Sequence, residues 1–191
     1  MVETGQMGET IEDIILSQDK RGMLALRPYL PDDYCSQAAQ FIIDNPGNVI
    51  IVTGFYVVMA GKPETDGPSG AIAIGEALKA LGRKVTYVSD EYTTPVLREF
   101  GNGSDVIDFP IDGVVSSKKQ AKGILEQVKP SLLISIERCG RTRDDTYLNM
   151  RYVDISRHTA RLDYLFDSDV PSVGIGDGGN EIGMGNLAAI I

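Results

Sequence analysis

Asn48–Thr53 reads N-V-I-I-V-T, a β-branched apolar run of strand length with no polar alternation inside it. Such a strand is buried on both faces, as in a parallel sheet covered by helices above and below. The sequence that follows supports this. Pro68–Leu81 has helical spacing and stops at Gly82, and Lys84–Val88 is the next strand. Thr94–Phe100 predicts a helix, Asp105–Phe109 a third strand, and Ser116–Val128 a helix closed by Pro130. Ser131–Ile136 is a fourth strand. Asp154 is placed to cap a helix running to about Phe166, with Ile155, Thr159, Leu162 and Phe166 on one face, and Pro171–Ile175 is a fifth strand. Repeated β–α units of this kind specify an α/β fold: a doubly wound, mostly parallel sheet with helices on both faces.

N-terminal to the first strand the period changes. Thr10 with Asp13 three residues on resembles a capping box, opening a short helix with Ile11, Ile14 and Ile15 on its apolar face. Pro31 starts a second helix carrying Tyr34, Cys35, Ala38, Phe41 and Ile42 at helical spacing. Residues 1–46 are thus expected to form a helical extension packed on the core, and residues 47–191 the α/β domain. Asn186–Ile191 (N-L-A-A-I-I) begins an apolar element without a cap. It predicts either that the α/β domain continues beyond this segment or that a partner subunit covers it, as in a homo-oligomer.

Composition narrows the function classes. The 191 residues are 42% hydrophobic, enough for one domain with a substantial core. The formal charge is −9 and the basic residues form no run beyond Lys118-Lys119, which disfavours nucleic acid and anionic membranes as partners. Cys35 and Cys139 form no CxxC, so neither a zinc site nor a disulfide framework is indicated. Met1–Thr10 is acidic and resembles neither a signal nor a transit peptide, and no apolar run reaches membrane-spanning length. A soluble cytoplasmic domain is the expectation.

Gly174–Gly185 reads G-I-G-D-G-G-N-E-I-G-M-G, six glycines in twelve positions interrupted by Asp177, Asn180 and Glu181. Gly174, Gly176 and Gly179 satisfy G-x-G-x-x-G literally, but the dinucleotide fingerprint follows a first strand and has an acidic residue about 20 positions later. This loop follows the last recognisable strand, and its two acids would repel a pyrophosphate. No nucleotide is expected. Acidic side chains beside exposed N–H groups better suit a cation, or a zwitterion such as an amino acid.

Ligands of open α/β sheets bind outside the carboxyl ends of the strands. The unusual residues collect there: Thr53-Gly54-Phe55, Glu64–Ala71 (E-T-D-G-P-S-G-A), Glu137-Arg138-Cys139-Gly140-Arg141, and the glycine loop. Gly67 and Pro68 put a helix N-terminus at that edge, where its free N–H groups would receive a carboxylate or phosphate. Asp66 as a cap for those N–H groups is the equal alternative. Six of the ten arginines lie between Arg138 and Arg161. Arg138 and Arg141, on a strand-end loop, are favoured for paired hydrogen bonds to a carboxylate, whereas Arg157 and Arg161 suit a solvated helix face. His158 reads as structural rather than chemical, and Cys139 as a packing residue rather than a thiolate.

The strings T-G-F (Thr53–Phe55), E-T-D-G-P-S-G-A, I-E-R-C-G-R (Ile136–Arg141), Y-L-N-M-R (Tyr147–Arg151), D-I-S (Asp154–Ser156) and G-I-G-D-G-G-N-E-I-G-M-G together resemble the D-glutamate cyclase C-terminal domain family. The resemblance spans Thr53–Gly185 and is weaker in the N-terminal helices. It implies a lyase that converts D-glutamate to 5-oxo-D-proline and water, assisted by a divalent metal such as manganese. That reaction needs a base for the amine, a positive centre on the attacked carboxylate and donors for an oxyanion. Asp177 and Glu181 are the candidates for base or metal ligand, with Asn180 as an orienting amide. Gly54, Asp66, Gly67, Ser69, Gly70, Glu137, Arg138, Arg141, Gly178 and Gly179 are the candidates for binding a small acidic amino acid. Two other readings stay open on the same residues: a non-catalytic module that binds an acidic amino acid, and a metal-dependent hydrolase of a phosphorylated small molecule.

Overall fold

The computed structural model describes residues 10–190; the acidic stretch before Thr10 and the terminal Ile191 lie outside them. The predicted alternation is present. The strands β1 (Val49–Thr53), β4 (Val85–Ser89), β5 (Asp105–Asp108), β6 (Leu132–Ile136) and β7 (Ser172–Ile175) form one sheet in the order β5-β4-β1-β6-β7, paired in parallel throughout. β1, β4 and β6 are buried along their whole length, as their predominantly apolar sequences favour, and the hydroxyls of Thr53, Thr86, Ser89 and Ser135 are buried with them. β7 is an edge strand and is largely exposed.

The two faces of β1 build two cores. Val49 and Ile51 point to the layer formed by α3 (Asp66–Ala80) and α4 (Thr94–Phe100), packing with Ala71, Leu78, Tyr87 and Leu97. Ile50 and Val52 point to the opposite layer, formed by α5 (Val114–Val128) and the short 3₁₀ turn Leu162–Leu165, packing with Ala121, Ile124, Leu162 and Leu165. Alternate side chains of one strand therefore hold both helical layers on the sheet.

N-terminal to the sheet, α1 (Ile11–Leu16) opens with the expected capping box, Thr10 and Asp13 bonding each other's backbone N–H. The apolar face expected of this helix does not pack inward: Ile11, Ile14 and Ile15 are each more than half exposed. It is Glu12 that turns in, accepting the Cys35 N–H at 2.9 Å from α2 (Tyr34–Asp44). Arg83 fastens the end of α2 by donating to the carbonyls of Ile42, Ile43 and Asn45, which no intrahelical partner would satisfy. Among the described residues no helix is long and apolar enough to cross a membrane.

Four segments depart from the sequence reading. The helix expected from Asp154 to Phe166 is replaced by two 3₁₀ turns, Ser156–His158 and Leu162–Leu165, separated by extended backbone at Thr159. The cause is tertiary: Leu148 pairs with Asp154 in a β-bridge, and the Ala160 carbonyl is taken by Arg138 at 2.7 Å. Ile155 and Leu162 are still buried, so the apolar pattern was real but its period was not helical. Arg161 consequently leaves the solvated face expected of it and pairs with Asp145 at 2.9 Å. A small hairpin, β2 (Tyr56–Val57) with β3 (Lys62–Pro63), stands where the sequence suggested loop, and a 3₁₀ turn spans Met23–Tyr29. The apolar segment expected to start at Asn186 begins inside a 3₁₀ turn, Met184–Leu187, and not in a regular helix or strand.

Candidate functional site

The strand order reverses between β1 and β6, and the cleft opens beyond the carboxyl ends of these two strands. Its volume is about 200 Å³, and five carboxylates line it: Glu64, Asp66, Glu137, Asp177 and Glu181. They arrive from three places in the chain: the segment before and at the start of α3, the end of β6, and the glycine loop. Glu64 follows the small hairpin, its N–H donating to Phe55 O at 2.7 Å. Asp66 is the first residue of α3 and accepts the Gly67 N–H at 2.8 Å; the N-cap position is Thr65, which makes no side-chain bond to the helix, and Asp66 stands exposed at the cleft. Gly67 is where α3 meets the ends of β1 and β6: a Cβ there would come within 2.8 Å of Thr53 Oγ1 and 2.9 Å of Glu137 Cβ.

Glu137, directly after β6, has a positive φ of 48°, a backbone state that costs a non-glycine residue about 1 kcal/mol or more. The turn puts its carboxylate beside those of Asp177 and Glu181, with one oxygen from each of the three lying within 4.8 Å of the others. The glycine loop supplies the remaining pair. Cys139 and Glu181 form an antiparallel bridge, Gly140 N–H donates to Asn180 O, and Ile182 N–H donates to Arg138 O, which folds the loop back over the end of β6. The bend brings Gly176 so close that a Cβ would stand 2.7 Å from Glu181 Cβ. Gly178 N–H donates to Glu181 Oε1 at 2.8 Å, and Gly179 takes a positive φ of 87°. Glu181 is 5% exposed and its Oε2 has no partner among the described residues. Leaving such an atom unsatisfied is costly, and a cation between the three carboxylates would satisfy it. The oxygen-only donor set suits a hard divalent ion, manganese among them.

Burial, reinforced by the charges of Glu181 and Asp177, pushes Glu137 up to about 8 from its ordinary 4.5. Glu64 is raised as well, by burial first and then by Asp66. The folded chain therefore keeps the Glu137 proton over a range where an unfolded chain has lost it. The stability this provides is complete below about 4.5 and is lost as pH rises through about 8. Metal-free protein is expected to melt at a lower temperature above that window than within it. Glu137→Gln should flatten this part of a thermal-denaturation profile, and an unchanged slope would show that Glu137 does not carry the proton.

Other candidate residues are placed elsewhere. Arg138 is 1% exposed and faces the interior, donating to Gly54 O, Asp90 and Ala160 O. Gly54 itself turns the chain at φ 106° against Thr93. Arg141 lies on the far side of the loop, donating to both oxygens of Asp167, with its Nε 3.1 Å from Asp163. The two guanidiniums are thus committed to carboxylates of the chain and do not line the cleft. Ser69 donates to Asp66 O and is exposed, and Gly70 packs normally against Ile136. Asn180 lines the cleft, but its Nδ2 donates to Leu148 O at 2.8 Å, which makes the amide a clamp between two loops. Cys139 is buried, and its thiol is pushed up to about 12, so it is a packing residue. His158 stacks on Tyr56 at 4.3 Å and lies 3.0 Å from Tyr92 Oη, outside the cleft lining.

Three charged cleft residues escaped the sequence reading as site candidates: Glu64, Arg21 and Arg151. Arg21, from the turn before Met23–Tyr29, lies 3.7 Å from Asp177, and Arg151 lines the wall formed by residues 149–151. Arg21 is aimed by Asp19, whose carboxylate accepts the N–H groups of Arg21, Gly22 and Leu24. The D-x-R-G spacing was the available signal for that turn.

Comparison with known proteins agrees with the motif resemblance. The mitochondrial D-glutamate cyclase of Homo sapiens is 29% identical over 174 residues, covering 78% of this chain. The chain spans only 27% of that relative's length. A family described as D-glutamate cyclase-like, C-terminal, matches residues 11–191, and the chain belongs to this family.

Proposed function

We propose that the protein is a D-glutamate cyclase-type lyase, forming 5-oxo-D-proline and water from D-glutamate with the help of a divalent cation. The observation that carries this reading is the convergence of Glu137, Asp177 and Glu181 on one point of the cleft, with the buried Glu181 Oε2 lacking a partner. Five carboxylates in one small cleft would repel the two carboxylates of the substrate unless a cation neutralised them.

Glu137, Asp177 and Glu181 would hold that cation, which when bound offsets their charge and polarises the carboxylate under attack. Glu64 is the residue proposed to move protons. Its pKa is raised by burial, which brings it towards the range useful for a general base at neutral pH. It takes a proton from the substrate ammonium, freeing the amine to attack the side-chain carboxyl carbon. One C–N bond forms, one C–O bond breaks, and the two protons shed by nitrogen leave with that oxygen as water. Asn180 holds the glycine loop in register through Leu148, and so positions Glu181 rather than touching substrate.

The test is to incubate the protein with D- and with L-glutamate, each with and without manganese, and to follow 5-oxoproline. Manganese-dependent product from the D-enantiomer is the expected result. No enantioselective product at high protein concentration overturns the cyclase reading. Tight binding of acidic amino acids without turnover would indicate a binding module instead.

A further inference from the structure

The Y-L-N-M-R segment has no part in the chemistry proposed above, yet it forms one wall of the cleft. Its backbone is closely held. Asn149 Oδ1 accepts the N–H groups of Arg151 at 2.9 Å and Val153 at 3.1 Å, and Asn149 N–H donates to Val153 O at 3.0 Å. Tyr152 completes the turn in the left-handed region at φ 58° and donates to Asn149 O. The Asn180 clamp on Leu148 then ties this turn to the glycine loop.

The turn presents Arg151 to the cleft. Its Nη1 lies 3.8 Å from Met59 Sδ, and none of the ion pairs among the described residues uses it. This is unusual in a cleft with five carboxylates, since Arg21 is drawn to Asp177, Arg138 is paired with Asp90, and Arg141 is paired with Asp163 and Asp167. Apolar side chains, Phe55, Val57, Val58, Met59 and Met150, make up much of the remaining wall. The lining therefore offers three chemistries: a carboxylate cluster, a short apolar stretch, and one guanidinium with no charged partner among the described residues.

We infer that Arg151 is the carboxylate-binding group of the cleft, gripping the distal carboxylate of a short dicarboxylic ligand whose other end lies at the Glu137–Asp177–Glu181 cluster. The apolar wall accommodates the methylenes between. A guanidinium makes two parallel hydrogen bonds to a carboxylate, which a neutral amide or a lone ammonium does not reproduce. This inference rests on the reading of the carboxylate cluster as a cation site, but not on turnover.

The probes are glutarate and butyrate, which share a carboxylate and an apolar chain and differ in the second carboxylate. Isothermal titration of the manganese-loaded protein should show glutarate binding about 10- to 100-fold more tightly than butyrate. Arg151→Gln should abolish that preference and Arg151→Lys should retain only part of it. Arg151 is exposed, so neither change should alter the thermal midpoint of the metal-free protein. Equal affinity for the two probes, no measurable glutarate binding, or a preference that survives Arg151→Gln overturns the inference. The outcome separates from the cyclase reading. An Arg151-dependent preference without 5-oxoproline formation removes the cyclase and leaves the subsite, whereas turnover with a preference indifferent to Arg151 does the reverse.

Discussion

Arg138→Ala is expected to destabilise the protein by about 3–5 kcal/mol, the loss typical of breaking a buried ion pair from one side. Arg138 is 1% exposed, and its side chain joins three segments distant in sequence. Nη1 donates to Gly54 O after β1 at 2.9 Å and to Asp90 Oδ2 after β4 at 2.6 Å, while Nη2 donates to Ala160 O at 2.7 Å. Truncation leaves the Asp90 carboxylate, 2% exposed, without its counter-charge, orphans two carbonyls and opens a cavity. For a chain of this size the thermal midpoint should fall by on the order of 10 °C. Arg138→Lys keeps the charge but cannot span all three acceptors, so it should recover only part of the loss. Pairing Arg138→Met with Asp90→Leu should recover more than either single change, because no unpaired charge then remains buried. Denaturant unfolding of the five variants measures this. A loss under about 1 kcal/mol in Arg138→Ala would mean that the pair is not what joins β1 to β4 at the edge of the cleft.

The contrast between Arg138 and Glu137 marks the limit of what could be read from residues alone. The strands were legible because short, largely apolar runs such as Val49–Thr53 and Leu132–Ile136 admit no other economical burial, and the helices because Gly82 and Pro130 punctuate them. The location of the site was legible too, since strand ends and glycine turns coincide. The direction of each side chain was not. Glu137 and Arg138 are adjacent, and the positive φ at Glu137 sends the first into the cleft and the second into the interior. A sequence shows that both are charged but not which one the turn exposes. The same holds for Arg151, whose place in the wall depends on the left-handed turn at Tyr152 and on the Asn180 clamp. The segment Ser156–Phe166 misled for a related reason: its apolar residues are buried, but the Ala160 carbonyl is claimed by Arg138, and those of Ser156, Arg161 and Asp163 close tight three-residue turns rather than a helical ladder.

Glu181→Gln is expected to weaken manganese binding by at least about 100-fold, and to abolish metal-dependent turnover, while leaving the metal-free fold as stable as before or more so. The two effects have opposite signs because one atom carries both. Glu181 Oε1 accepts the Gly178 N–H at 2.8 Å, a bond that a glutamine oxygen preserves. Oε2 is buried without a partner beside the carboxylates of Glu137 and Asp177, so its charge is a burden to the metal-free protein and an asset only when a cation is present. A residue that merely supports the loop would lose stability and affinity together. Gly176→Ala provides the complementary case: its Cβ would press within 2.7–2.9 Å of the Glu181 side chain and displace the carboxylate without removing its charge. It should weaken manganese binding while also lowering stability. Manganese titration calorimetry with thermal denaturation in chelator distinguishes the two. Wild-type affinity in Glu181→Gln would exclude the cluster as the metal site, and would leave the unpaired oxygen to be explained by the loop alone.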